Sequence, residues 1–272
     1  MKQVIFKNQP VFYRVRGAGL PVMLLHGFAE DHAIWKYQSD RLEKDYRVIA
    51  PDLPGSGRSP LPADPVSIDG YAEVVRAVAA AAIGPQTPFA LIGHSMGGYI
   101  ALAFAEQYPE LLTGLGMFHS TATPDDEAKK AAREKGIEFI RNNSAALFLR
   151  SSTPNLFCQK SRERKPYLVE KLIDTYREFS AGALIGYYQA MMKRPDRTAV
   201  LRAFRRPVAF IIGKGDPIIP LQTQLWQSSL PGISLVTVLG DAGHMGMWEA
   251  KKKSLDAVRG FLRFLEGPCG RP

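Results

Sequence analysis

Cysteine is nearly absent from this chain: there are two in 272 residues, Cys158 and Cys269. Two cysteines at this length make no disulfide framework, and their separation fits no metal-ligand pattern. Cys158 is expected to pack as a small apolar residue. No apolar run approaches the roughly 20 residues a membrane helix needs; the longest candidate, VVRAVAAAAIG, is short and alanine-rich. The N-terminal stretch MKQVIFKNQPVFYRVRG lacks the apolar centre of a signal peptide and reads as two short strands around Asn8-Gln9-Pro10. Cytoplasmic is the default location. Internal repeats and low-complexity linkers are also missing. No nucleic-acid recognition motif or basic–aromatic module is present, which argues against a nucleic-acid partner. The tail GPCGRP is expected to fray.

What is present suits a globular protein with a substantial core: 46% of residues are hydrophobic and 22% charged. The formal charge of +9 is unevenly placed. Residues 123–206 hold 18 Lys and Arg against 10 Asp and Glu, while the rest of the chain is nearly balanced. The plain reading is a set of solvated helix faces. The sharper one is a positive field that attracts an anionic substrate.

VMLLHG (22–27), YRVIAPDL (46–53), PFALIGHS (88–95), LTGLGMFHS (112–120), VAFIIGKGD (208–216) and SLVTVLG (234–240) are continuous apolar runs with turn residues at their ends. Such runs suit strands covered on both faces of a parallel sheet. Helical patterns at 68–84, 97–109, 221–230 and 245–265 lie between or after them. The alternation predicts a doubly wound α/β sheet. Residues 123–206 break it with three helical stretches, DDEAKKAAREKGIEFIRNN, KPYLVEKLIDTYREFS and AGALIGYYQAMMKR, and no strand between them. The expected organisation is a core of 1–122 and 207–272 with a helical cap of 123–206.

GHSMG (93–97) fits G-x-S-x-G where a strand turns directly into a helix. A serine there sits on a strained turn with its hydroxyl lifted above the sheet edge. Side chains two before and two after would crowd the turn, hence Gly93 and Gly97. The helix N-terminus aims free N–H groups at the same space, favouring a developing oxyanion. Ser95 is the candidate nucleophile, and it needs a base. Of five histidines, His94 belongs to the elbow and should point away, His32 reads as a surface helix residue, and His26 shapes the HGF loop. His119 ends a strand, either lining the pocket or structural. His244, in GDAGHMGMWE after the last strand, is the candidate base. Asp216, at the end of a buried strand, is the candidate acid that orients it; Asp125 and Asp126 are alternatives that look more like first-turn helix residues. Asp241 is too close in sequence to orient the His244 ring. The order Ser95, Asp216, His244 is the one this fold uses. The oxyanion donors are expected to be the backbone N–H groups of Met96 and Phe28.

Together LLHGF (24–28), DLPGSGRS (52–59), GHSMGG (93–98), GKGDPIIP (213–220) and GDAGHMGMWE (240–249) resemble the α/β-hydrolase superfamily. The resemblance spans the chain apart from 123–206, where that superfamily carries its cap. It implies a mostly parallel eight-stranded sheet, no metal and no organic cofactor, and the branch holding carboxylesterases, C–C hydrolases and haloperoxidase-like enzymes. Asp52 and Arg58 in DLPGSGRS read as loop-fixing residues. The expected reaction is hydrolysis of a small acyl substrate, anionic if the cap's charge serves capture. Tyr187, Tyr188, Phe179, Phe148 and Trp248 are candidates for an apolar pocket. A C–C hydrolase with the same triad, and a small-molecule signal receptor on the same fold, are the rival readings. Oligomeric state is not legible.

Overall fold

Runs of β-branched and other apolar residues become interior strands when helices cover both faces of their sheet. The computed structural model describes residues 1–64 and 66–267; the expected fraying of the tail from 268 on lies outside the described residues. The strands are β1 (Lys2–Phe6), β2 (Gln9–Arg16), β3 (Pro21–Leu25), β4 (Arg47–Pro51), β5 (Phe89–His94), β6 (Leu112–Phe118), β7 (Val208–Gly213) and β8 (Ser234–Leu239). They form one sheet in the order β1-β2-β4-β3-β5-β6-β7-β8. β1, β2 and β4 pair antiparallel, and every pair from β4 to β8 is parallel.

The helices are α1 (Lys36–Leu42), α2 (Ile68–Ile83), α3 (Met96–Gln107), α4 (Glu127–Asn142), α5 (Ala145–Ser152), α6 (Gln159–Arg164), α7 (Pro166–Tyr176), α8 (Ala181–Met192), α9 (Thr198–Ala203), α10 (Leu221–Gln227), α11 (Gly246–Glu249) and α12 (Lys251–Glu266). The period-2 alternation of a strand sends Met23, Leu25, Phe89 and Leu91 into one core with α2 and α3. Val22, Leu24, Ala90 and Ile92 enter the other with Trp35, Leu42, Val258 and Phe261. α2 starts where the Ser67 hydroxyl accepts the Gly70 N–H at 3.0 Å and stops at Gly84, whose φ is +98°.

Three details differ from the sequence reading. β8 is an edge strand, so Val236 and Val238 alternate outward and are about half exposed. The expected helix 245–265 is two, because Ala250 is non-helical (φ −129°, ψ 49°) and ends α11. Between β6 and β7 lie six helices rather than three: α5, α6 and α9 are short and carry little periodic signal.

Candidate active site

The turn from β5 into α3 is as tight as its glycines imply. A Cβ at Gly93 would sit 2.1 Å from Gly97 O, and one at Gly97 would sit 2.6 Å from His26 O. Ser95, between them, adopts φ 51°, ψ −116°. A non-glycine residue there costs on the order of 1–3 kcal/mol and persists only where its surroundings impose it. The Ser95 N–H donates to Phe118 O (3.0 Å) and its carbonyl accepts from the Ser120 hydroxyl (2.7 Å), so β6 holds the elbow. Among the described residues the Ser95 Oγ has no hydrogen-bond partner, which leaves it free for a substrate-bound arrangement.

The loops after β7 and β8 bring Asp216 and His244 together. His244 Nδ1 donates to Asp216 Oδ2 at 2.9 Å, and both residues are buried. That bond places the proton on Nδ1 and leaves the Nε2 lone pair free. The other Asp216 oxygen accepts the Ile218 and Ile219 amides at 2.8 and 3.1 Å. Burial opposes ionisation of Asp216, but the His244 charge and hydrogen bond outweigh it and hold the carboxyl at about 2. Burial likewise disfavours charged His244, and the Asp216 charge and hydrogen bond outweigh that, raising its pKa above the ordinary histidine value.

Among the described residues the Phe28 and Met96 amides donate to no turn, loop or cap acceptor. The loop that carries Phe28 is held on both sides. His26 Nδ1 donates to Gly27 O at 2.8 Å, while His26 Nε2 accepts the Leu53 N–H at 3.0 Å, tying the loop after β3 to that after β4. Asp52 is buried and accepts the His32 N–H, the His32 ring and the Arg58 N–H, a loop-fixing role. His32 sits in a 3-10 turn on this carboxylate instead of on an open helix surface. Asp31, His32 and Asp52 place ligand atoms within 4.8 Å of one another. The Asp52 and Asp31 carboxylates are already committed to backbone amides, so the cluster is accounted for as a loop tie.

Two further buried carboxylates, Glu249 and Glu30, hold the loops of the site. Glu249 Oε1 accepts the Gly243 and Met245 amides, which flank His244, at 2.8 and 3.1 Å; Oε2 accepts the Cys158 N–H at 3.1 Å. The His244 N–H donates to Leu156 O at 2.8 Å. The His244 loop is therefore stitched to residues 156–158 of the segment between β6 and β7. The helix break at Ala250 is next to the glutamate that makes these bonds. The second carboxylate, Glu30, faces His94 Nδ1 at 3.0 Å, and His94 Nε2 faces His244 O at 3.0 Å. The His94 ring is directed at these two loops.

The candidate lining residues separate. Tyr188 stacks on Phe28 with ring centroids 4.4 Å apart, and Phe148 meets Phe28 and Tyr188 edge-on. Burial pushes the Tyr188 phenol up to about 12. Tyr187 is fully buried, its hydroxyl bonded to the Ser56 hydroxyl (2.6 Å) and to Pro54 O (2.9 Å), so it is a packing residue. His119 is also fully buried and lines nothing: its Nδ1 accepts the Gly213 N–H at 3.0 Å, and burial pushes its pKa well down. It supports the end of β7, from which the loop carrying Asp216 departs. Trp248 belongs to another surface, donating to Ile34 O and bordering a groove with Tyr37, Tyr167 and Lys171. The alternative acids are engaged elsewhere: Asp125 pairs with Arg133 and Arg194, and Asp126 caps α4. Asp241 is exposed and pairs with Lys160. Cys158 is buried.

Comparison with known proteins agrees with this architecture. A thermophilic esterase from Thermogutta terrifontis superposes with a TM-score of 0.92 at 28% identity, covering 98% of this chain and 100% of that one. A 2-hydroxymuconate semialdehyde hydrolase from Pseudomonas sp. (strain CF600) is 29% identical over 262 residues, 90% of this chain and 88% of the relative. Lipase 1 from Psychrobacter immobilis is 25% identical over 272 residues, 92% of this chain and 78% of the relative. The profile of the alpha/beta hydrolase family matches residues 22–256, and the chain belongs to that family.

Proposed function

We propose that this chain is a serine hydrolase that cleaves a small ester or related acyl substrate. The observation that carries the reading is the strained Ser95 at the β5–α3 turn, its hydroxyl without a hydrogen-bond partner among the described residues, together with the buried His244–Asp216 pair on the loops after β7 and β8. Ser95 Oγ attacks the acyl carbonyl while His244 Nε2 takes its proton. Asp216 balances the imidazolium that forms. The Met96 and Phe28 amides receive the oxyanion. His244 then protonates the leaving group, and water resolves the acyl-enzyme by the same route. Residues 123–206 act as a cap that excludes water, with Tyr188 and Phe148 shaping an apolar wall beside Phe28. The relatives named as esterase and lipase support this substrate class.

The test is hydrolysis of p-nitrophenyl esters of graded chain length, wild type beside Ser95→Ala. Rapid turnover lost in the variant supports the reading, and the chain-length optimum sizes the pocket. Turnover that survives Ser95→Ala sinks it. The similarity to a semialdehyde hydrolase favours one second reading, C–C bond hydrolysis with the same residues. An enzyme inert to esters that cleaves a vinylogous diketone would select it. Turnover of at most about one per minute on every substrate, far below the ~10 s⁻¹ typical of enzymes, would instead favour a ligand receptor.

A further inference from the structure

The proposed chemistry leaves the buried Glu30–His94 pair unused. Glu30 and His94 are 3% and 1% exposed. Glu30 Oε2 accepts the Gly27 N–H at 2.7 Å and lies 3.0 Å from His94 Nδ1; His94 Nε2 lies 3.0 Å from the carbonyl oxygen of His244. A carbonyl cannot donate, and neither can an oxygen of an ionised carboxylate that already accepts an amide. Both His94 nitrogens therefore face acceptors, an arrangement that a ring protonated on both satisfies. The other titratable groups facing it are His244 and His119, with ring centroids 5.0 and 6.2 Å away. Trp35 and Phe118 close the remaining sides. Glu30 is also near His26, whose Nε2 accepts an amide and is therefore unprotonated.

This pair touches all three loops of the site. A Cβ at Gly27 would lie 2.9 Å from His94 Nδ1, 3.1 Å from Glu30 Oε2 and 3.2 Å from Ser95 Cβ. The carboxylate closes the loop Gly27–Glu30 on itself, and Ala29 within it has φ +58°. That strain needs an external hold. Gly27 O and the Phe28 N–H belong to one peptide group and point opposite ways. With Gly27 O on His26 and Gly27 N on Glu30, the direction of the Phe28 N–H is fixed.

We propose that the Glu30–His94 ion pair is a positioning device that holds the Phe28 amide, Ser95 and the His244 backbone in one register before substrate arrives. It rests on the reading of Ser95 as nucleophile and the Phe28 amide as oxyanion donor. Neither side chain touches substrate. The loss expected on removing the charge is therefore smaller than that of deleting an oxyanion donor outright, about 10²–10³-fold.

The experiment follows the rate at which a fluorophosphonate modifies Ser95, because that reaction uses the nucleophile and oxyanion donors whatever the natural substrate is. Glu30→Gln, which keeps the size and removes the charge, lowers the limiting inactivation rate about 10- to 100-fold, with reagent affinity within about twofold. Glu30→Asp falls between Gln and wild type. In ¹⁵N-histidine NMR of the unmodified wild-type protein, His94 shows two ring N–H groups at neutral pH; in Glu30→Gln it shows one. A wild-type protein that fluorophosphonate does not label overturns the serine-hydrolase reading, and the NMR spectrum then decides the ion pair alone. Normal labelling of folded Glu30→Gln, or one ring N–H on wild-type His94, overturns the positioning role. Should Glu30→Gln not fold, the Glu30→Asp deficit and the wild-type spectrum decide it.

Discussion

Asp216→Asn isolates the acid of the proposed triad. Asn is isosteric, and its oxygen can keep the Ile218 and Ile219 amides that Asp216 Oδ1 accepts. That commitment turns the Asn NH₂ toward His244 Nδ1. The ring must then accept at Nδ1 and carry its proton on Nε2, where it can no longer take one from Ser95. Depression of the Asp216 pKa from 3.8 to about 2 corresponds to roughly 2 kcal/mol of coupling to its surroundings. A wrong tautomer costs about 10⁴-fold in kcat, or about 5 kcal/mol. Tautomer control thus outweighs the charge coupling, and the predicted loss in kcat is about 10³–10⁴-fold with KM little changed. In wild type the acid limb of kcat/KM lies above the ordinary histidine value, because Asp216 raises His244; in the variant it moves down. Steady-state kinetics from pH 5 to 9 on a p-nitrophenyl ester reads both. A variant within tenfold of wild type, with an unmoved acid limb, refutes the reasoning.

Other consequences follow from the same geometry. Asp216 contributes stability that is present above its unfolded pKa and lost as pH falls toward its folded value of about 2. Between pH 5 and 2, wild type should therefore lose roughly 2 kcal/mol more than Asp216→Asn in urea titrations, and equal losses would contradict this. Glu249→Gln should lower kcat about tenfold and reduce Tm, since one charged acceptor holds both amides beside His244; unchanged kinetics would remove Glu249 from the base's support. Gly97→Ala should abolish Ser95 labelling or folding, because the added Cβ meets backbone at 2.6 Å. An active, folded variant would mean the elbow can relax. If the positive charge of 123–206 serves capture, kcat/KM for an anionic ester should fall with salt more steeply than for a neutral ester of like size. Equal salt dependence ends that idea.

Much of this architecture was legible because packing leaves marks in sequence. Gly93 and Gly97 are written where a Cβ would strike backbone, and runs such as VMLLHG and VAFIIGKGD are apolar on both faces because both faces of the sheet are covered. Asp216 and His244 could be placed at the carboxyl edge because each follows a strand. Glu30, Glu249 and the second role of His94 were not legible. Their partners are mostly backbone groups, the Gly27, Gly243, Met245 and Cys158 amides and the His244 carbonyl, and a backbone partner imposes no residue type; the one side-chain partnership, Glu30 with His94, spans 64 residues. His119 shows the converse. A histidine ending a central strand suggests a pocket, yet its neighbours bury it against Gly213 and Gly246. The break at Ala250 was hidden because apolar periodicity continues across it, and the kink is set by what Glu249 binds.

The most direct test of the central claim is to trap the acyl-enzyme. The wild-type protein is mixed with a p-nitrophenyl ester, quenched in acid within the first turnover and mapped by peptide mass spectrometry. The account predicts an acyl group on Ser95, absent from Ser95→Ala and accumulating in Asp216→Asn only at a much lower rate. Rapid ester turnover with the acyl group on another residue, or with Ser95 never acylated, would contradict it.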